Sequence, residues 1–134
     1  MTNLISRIVA LAGLPETSAD DRNIAELETD LIDLDDASMI VLRGKMRLYG
    51  NGRIEGAQNG HPLRTYIYSL SDLARKHQRI EQHLLQKIRA DSPMTKDDAD
   101  FLLEQLTDLR NLALITQAVV LRLEERARSG KGTS

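Results

Sequence analysis

The chain has 134 residues, of which 41% are hydrophobic, 28% are charged and only 3% are aromatic, and its formal net charge is -2. This length suits one domain around one hydrophobic core, and the scarcity of aromatic residues favours packed helices over an all-β sandwich or barrel. The chain has no cysteine, which excludes disulfides, thiolate catalysis, Cys-ligated zinc and iron–sulfur clusters.

The two most apolar stretches bear on location. The first, Met1 to Leu14, is interrupted by Arg7 and lacks a small-residue cleavage site, so it is typical of a helix and not of a signal peptide. The second, Leu112 to Leu121, is far shorter than the roughly 20 residues that cross a bilayer. We therefore expect a cytoplasmic protein that does not enter a membrane.

Charge is unevenly distributed along the chain. Residues 1–42 carry two basic and nine acidic groups, for a net charge of -7, whereas residues 43–89 carry ten and three, for +7. Residues 90–134 carry six and eight, for -2. Residues 43–89, named here the cationic segment, thus lie between two acidic ones.

Two helices are predicted before residue 50. Apolar residues recur at helical spacing over 4–12, and Gly13 ends that helix. Ser18 is a candidate N-cap for a second helix, which should dock through a stripe that includes Leu27 and Leu31. Residues 39–49 fit either an extension of this helix or a strand; helix is favoured.

Glycine and amide residues dominate the next segment. Five of the eight glycines fall at positions 44, 50, 52, 56 and 60, and glycine is a poor helix former. We therefore predict one long Gly-rich loop over 50–61.

The second half of the chain predicts a helix hairpin. Pro62 suits the first turn of a helix over 62–90, and Asp91-Ser92-Pro93 ends it. Thr95 and Asp98 resemble a capping box that opens a last helix over 96–128. The first of these helices carries a near-heptad stripe: Leu63, Ile67, Leu70, Ala74, His77, Ile80, Leu84 and Ile88.

Apolar residues point almost all the way round the last helix, from Leu109 to Leu123. Such a helix lies either at the centre of an intramolecular bundle or at the seam of a homodimer, and the dimer is favoured. The fold class predicted is all-α: a small, dimeric helical bundle with a long antiparallel hairpin. Residues 1–128 form its single domain and 129–134 a flexible tail.

No catalytic residue, metal ligand or cofactor is predicted. His77 and His83 are six residues apart and lie on different helix faces, whereas paired ligands on one helix are three or four apart. Two acidic sets would allow magnesium chemistry like that of all-α nucleotide pyrophosphatases, but solvated acidic faces explain them more simply. The sets are Asp30, Asp33 and Asp36, and Asp97, Asp100 and Glu104.

The cationic segment combines basic side chains with tyrosines, as surfaces that bind single strands or phosphate backbones do. The alternative interpretation is that its cations pair with the acidic helix 19–36, which leaves little exposed positive charge. We take five residues as candidate contacts to a partner: Arg47, Tyr49, Arg53, Arg64 and Tyr68.

The glycine-rich turn after Tyr49, followed by His61-Pro62 and Arg64-Thr65-Tyr66-Ile67 at the start of a long helix, resembles TraM-type antiactivators. These are small helical dimers that sequester a quorum-sensing transcription factor. The resemblance covers less than a third of the chain, and the last helix has no counterpart in it, so the sequence assigns the chain to no family.

The function predicted is that of a non-enzymatic helical regulator, an adaptor or antagonist that binds another protein and itself forms a homodimer. A nucleic-acid-binding regulator using the cationic segment is the alternative. A magnesium-dependent all-α nucleotide hydrolase is the further alternative.

Overall fold

The computed structural model describes residues 2–13, 22–49, 52–59 and 61–130, and these ranges contain helices and no strand. The described helices are α1 (Thr2–Ala12), α2 (Arg22–Tyr49), α3 (Gly52–Asn59), α4 (Pro62–Arg89) and α5 (Lys96–Arg128). The all-α class is confirmed. Because α2 runs without a break to Tyr49, the strand alternative for residues 39–49 is wrong and the favoured helix is right.

The chain divides into two compact units, Met1–Asp33 and Leu34–Ser134. In the first, α1 ends where predicted: Gly13 has a φ of 64°, the left-handed conformation that commonly follows a helix. Leu27 and Leu31 of the predicted docking stripe are both exposed. The predicted cap Ser18 lies outside the described residues.

The second unit is built on the predicted hairpin of α4 and α5. Lys76 Nζ lies 3.1 Å from Asp108 Oδ2, and Lys87 Nζ lies 2.6 Å from Asp98 Oδ2. Later residues of α4 therefore meet earlier residues of α5, which makes the two helices antiparallel. The helix α4 ends at Arg89, one residue before the end of the predicted range 62–90, and α5 spans the predicted range 96–128.

Local chemistry sets the ends of the hairpin helices. Pro62 lies in the first turn of α4, and Asp91 adopts a φ of 48° in the turn that follows. The capping box is present: Asp98 N donates to Thr95 Oγ1 at 3.1 Å, and Thr95 N donates to Asp98 Oδ2 at 2.9 Å. Aspartate thus performs the role usually taken by glutamate or glutamine.

The Gly-rich loop predicted over 50–61 is wrong for residues 52–59, which form α3. This short helix packs against both α4 and α5. Gly56 permits the approach, because a Cβ there would lie only 2.7 Å from Thr65 Oγ1. Tertiary contact therefore outweighs the poor helix propensity of the glycines.

The part of α2 that belongs to the second unit meets α5 through polar groups. Asn111 Nδ2 donates to the Ser38 carbonyl at 3.1 Å, and Lys45 pairs with Asp108. Since α5 contacts α2, α3 and α4, it lies at the centre of this unit. This position agrees with the interpretation of the last helix as the centre of an intramolecular bundle.

The interior of the second unit is mainly polar. Among the described residues, Val119 is the buried hydrophobic side chain, at 0% exposure. Most of the other buried residues are small or uncharged, which lets helix backbones approach closely. The buried polar residues are Ser38, Thr65, Ser69, Asp98, Gln105, Asn111 and Thr116.

Two glycines test the α3–α4 contact. A Cβ at Gly44, in the interior of α2, meets no atom within 4 Å, so Gly44→Ala should stabilise the fold by about 0.5–1 kcal/mol through helix propensity. Gly56→Ala should leave the protein about 1–3 kcal/mol less stable than Gly44→Ala, because the methyl group displaces Thr65. Urea unfolding followed by circular dichroism measures both. Equal stabilities would mean that α3 does not pack closely on α4.

Candidate binding surface

One face of α4 is polar and packs inward. Thr65 and Ser69 are buried, with Ser69 only 1% exposed, and Lys76 and His83 are half-buried on the same side. Lys76 lies 3.3 Å from Gln105 Oε1 and His83 lies 2.9 Å from Asp98 Oδ1, both on α5. The contacts within the unit therefore use the hydrophilic side of this helix.

The opposite face of α4 carries the heptad stripe, which is exposed. Ile67 is 58% exposed and Ile88 is 73% exposed, although such residues usually cover a core. Ile80, which the sequence placed in the stripe, is half-buried and lies nearer the packed face. We name the remaining residues the apolar stripe: Leu63, Ile67, Leu70, Ala74, His77, Leu84 and Ile88, all exposed.

A third face of α4 combines cations, an aromatic ring and a carboxylate. Arg64, Tyr68 and Asp72 are spaced four apart and so lie above one another on the helix. Arg53 of α3 reaches across: its Nη2 lies 2.6 Å from Asp72 Oδ2, and its Cζ lies 5.6 Å from the centroid of the Tyr68 ring. We name these four residues the Arg–Tyr ridge; Tyr68 is 55% exposed on it.

Asp72 orients the guanidinium group of Arg53 in the ridge. Burial raises the pKa of this carboxyl, but hydrogen bonds from Arg75 and Arg53 outweigh burial, so the pKa lies below its ordinary value. The carboxylate is therefore charged at neutral pH and fixes Arg53 beside Tyr68. Sequence reasoning missed Asp72, because Arg53 is nineteen residues away and no local spacing links the two.

The structure brings together three of the five predicted contact residues. Arg53 and Tyr68 touch, and Arg64 lies one turn before Tyr68 on the same face. Arg47 is exposed on α2. The side chain of Tyr49 lies outside the described residues.

A cleft of about 280 Å³ opens between α2, α4 and α5. Its charged rim is Lys45, Lys76 and Asp108, and both lysines pair with the aspartate. Burial raises the pKa of Asp108, but the two lysines outweigh this effect and lower it overall. The deeper wall is apolar and includes Leu42, Met46, Leu112 and Ile115.

The cationic segment is partly neutralised within the second unit. Five of its ten basic residues form ion pairs with Asp72, Asp98 or Asp108, which lie on α4 and α5: Lys45, Arg53, Arg75, Lys76 and Lys87. These five cations therefore do not pair with the acidic helix 19–36. Asp35 of α2 pairs instead with Arg110 of α5.

The turn end of the hairpin carries a separate polar cluster around Asp98. His83 and Lys87 approach this carboxylate from α4, and Thr95 donates to it from the turn. The ring of Phe101 stacks on His83 with centroids 4.5 Å apart. Hydrogen bonds from Lys87 and Thr95 hold the pKa of Asp98 well below its usual range.

In the described ranges, no three histidine or acidic side chains are close enough together to hold a metal ion. Nor does any helix in those ranges have the length and apolarity that a membrane span requires.

No protein-family model matches the chain, and no curated protein or solved structure matches it either. Any likeness to TraM-type antiactivators thus stays limited to the residues around 49–67.

The lowered pKa of Asp98 predicts that the stability of the protein depends on pH. Because its folded pKa is lowered from 3.8, its contribution is fully present above about pH 4 and is lost as the pH falls towards the folded value. Asp98→Asn should lower the melting temperature at pH 7 and flatten its decline between pH 4 and pH 2. Thermal unfolding across this range measures both effects.

Asp100→Asn is the matched control. Asp100 is exposed and pairs with Lys96, one turn earlier in α5, at 3.2 Å, so its loss should change stability little. Equal melting temperatures for the wild type and Asp98→Asn at pH 7 would show that the cluster does not stabilise the hairpin.

Proposed function

We propose that the protein is a non-enzymatic helical regulator, an adaptor or antagonist, that binds another protein and forms a homodimer. One observation carries this proposal: the second unit exposes many of its large hydrophobic residues, while most of its fully buried side chains are polar. Exposed apolar surface of this extent marks interaction sites. In Leu34–Ser134 the exposed large hydrophobic residues are Leu34, Ile40, Val41, Met46, Leu63, Ile67, Tyr68, Leu70, Leu84, Leu85, Ile88, Met94, Leu103, Leu106 and Val120.

The Arg–Tyr ridge is the proposed surface for the other protein, and Arg47 and Tyr49 remain proposed contacts from the sequence. Tyrosine and arginine are the residues most enriched among those that dominate binding energy. Arg53 is already fixed by Asp72, so its guanidinium loses little freedom when a partner binds. A partner with an aromatic or acidic patch would complement this ridge.

The charge pattern supports protein binding over nucleic-acid binding. Affinity for nucleic acid depends on basic groups that are free to neutralise phosphates. Half of the basic residues in the cationic segment already have carboxylate partners within the unit. The net field that a phosphate backbone would meet is correspondingly reduced.

A photo-crosslinking amino acid tests the ridge. We expect that, placed at the exposed Ser71 beside the ridge, it forms a covalent adduct with one protein in cells, and that Tyr68→Ala reduces this adduct at least fivefold. Gln82, exposed three turns further along α4, is the control site and should give little adduct. Equal adducts at Ser71 and Gln82, unaffected by Tyr68→Ala, would contradict the proposal.

Adding nucleic acid or Mg²⁺ separates the proposed function from its two alternatives. With a labelled single strand or duplex, we expect no co-elution on size exclusion at moderate salt; co-elution lost as salt rises would favour the nucleic-acid regulator. With millimolar Mg²⁺, we expect an unchanged melting temperature. A rise that grows with Mg²⁺ concentration would favour the nucleotide hydrolase, because a ligand that binds the folded state stabilises it.

A further inference from the structure

The apolar stripe has the spacing of a coiled-coil seam. From Leu63 to Ile88 its positions alternate by four and three residues, provided that Glu81 fills the step between His77 and Leu84. Large aliphatic side chains occupy both ends of this seam. Small or polar side chains occupy its middle: Ala74, His77 and Glu81.

This order is self-complementary when the helix is reversed. We propose that α4 packs antiparallel against α4 of a second copy, with a two-fold axis passing between Arg75 and Lys76. Leu63 then lies opposite Ile88 of the second copy, and Ile67 lies opposite Leu84. Ala74 lies opposite His77, so a small side chain faces a large one at the centre. Leu70 lies opposite Glu81, the one pair that places a carboxylate against an aliphatic side chain. This inference deepens the proposed homodimer by assigning its interface.

Charge favours the antiparallel arrangement over the parallel one. A parallel pair in register would place Glu81 against Glu81, and like charges in direct contact are unfavourable. In the antiparallel pair the two Glu81 residues are about 16 Å apart along the helix axis. Each Glu81 then keeps as a neighbour its own His77, whose Nδ1 lies 4.0 Å from Glu81 Oε2.

The size of the seam sets the strength of the dimer. α4 has 28 residues, so it is about 42 Å long and roughly 10 Å wide. The footprint is therefore about 400 Å² per copy, or about 800 Å² for the pair, which is below the roughly 1,200 Å² of stable complexes and in the range of weak, transient ones. We expect a dimer that dissociates on dilution in the micromolar range.

Cysteine crosslinking tests the orientation, and the chain provides a clean background because it has no cysteine. Leu63→Cys and Ile88→Cys are prepared separately and treated with a short bismaleimide, alone and as a mixture. The proposal predicts covalent dimers in the mixture and almost none in either sample alone. Crosslinking of each variant with itself would instead show a parallel pair and overturn the antiparallel seam.

Light scattering on the full chain separates this inference from the proposed homodimer. Ile67→Glu should raise the dimer dissociation constant at least tenfold while the helical circular dichroism signal is retained, because Ile67 is exposed. Leu103→Glu, at a residue 51% exposed on α5, is the matched control and should dimerise normally.

The remaining outcomes are distinct. If the wild type is a dimer that Ile67→Glu leaves intact and Leu103→Glu dissociates, the homodimer stands and the α4 seam is wrong. A wild type that stays monomeric at several hundred micromolar would overturn both.

Discussion

The structure depends on the packing of the polar face of α4 against α5. Because Thr65, Ser69 and Lys76 take inward positions, most of the large aliphatic residues of the same helix point outward. Each large aliphatic side chain left in water forgoes about 1.5–3 kcal/mol that burial would provide. The second unit therefore stores much of its hydrophobic free energy on its surface, where only another molecule can use it.

Three aspartates set the register of this polar packing. Asp72 joins α3 to α4, Asp98 joins the two arms of the hairpin, and Asp108 joins α2 to α4. Each lies between two cationic or imidazole groups, which keeps its pKa low. Replacing such a partly buried pair by two apolar residues can leave stability unchanged, because desolvation offsets the attraction, but a misaligned helix would leave a charge without its partner. They favour one arrangement of the helices over slipped alternatives.

Sequence reasoning succeeded where structure is set locally. Gly13, Pro62 and the Thr95–Asp98 box marked helix ends, because each acts through a backbone conformation or a hydrogen bond within four residues. It failed for α3, because the contact of Gly56 with Thr65 that favours this helix depends on how two helices meet. The sequence revealed the heptad spacing of apolar residues in α4. Such spacing identifies the apolar face of a helix but not the surface that covers it. The ridge was found only in part, since Asp72 had no local link to Arg53.

The two exposed faces of α4 are physically coupled if the stripe is a dimer seam. In an antiparallel pair, the two Tyr68 residues lie on opposite sides of the two-fold axis, about 22 Å apart along the helix axis. A dimeric partner that spans this distance would engage both ridges at once, and the second contact would benefit from a high effective concentration. Binding of such a partner would shift the weak self-association towards the dimer, because it binds the dimer and not the free chain with full avidity. Weak self-association of this kind would make the oligomeric state responsive to the partner, which a permanently closed dimer would not be.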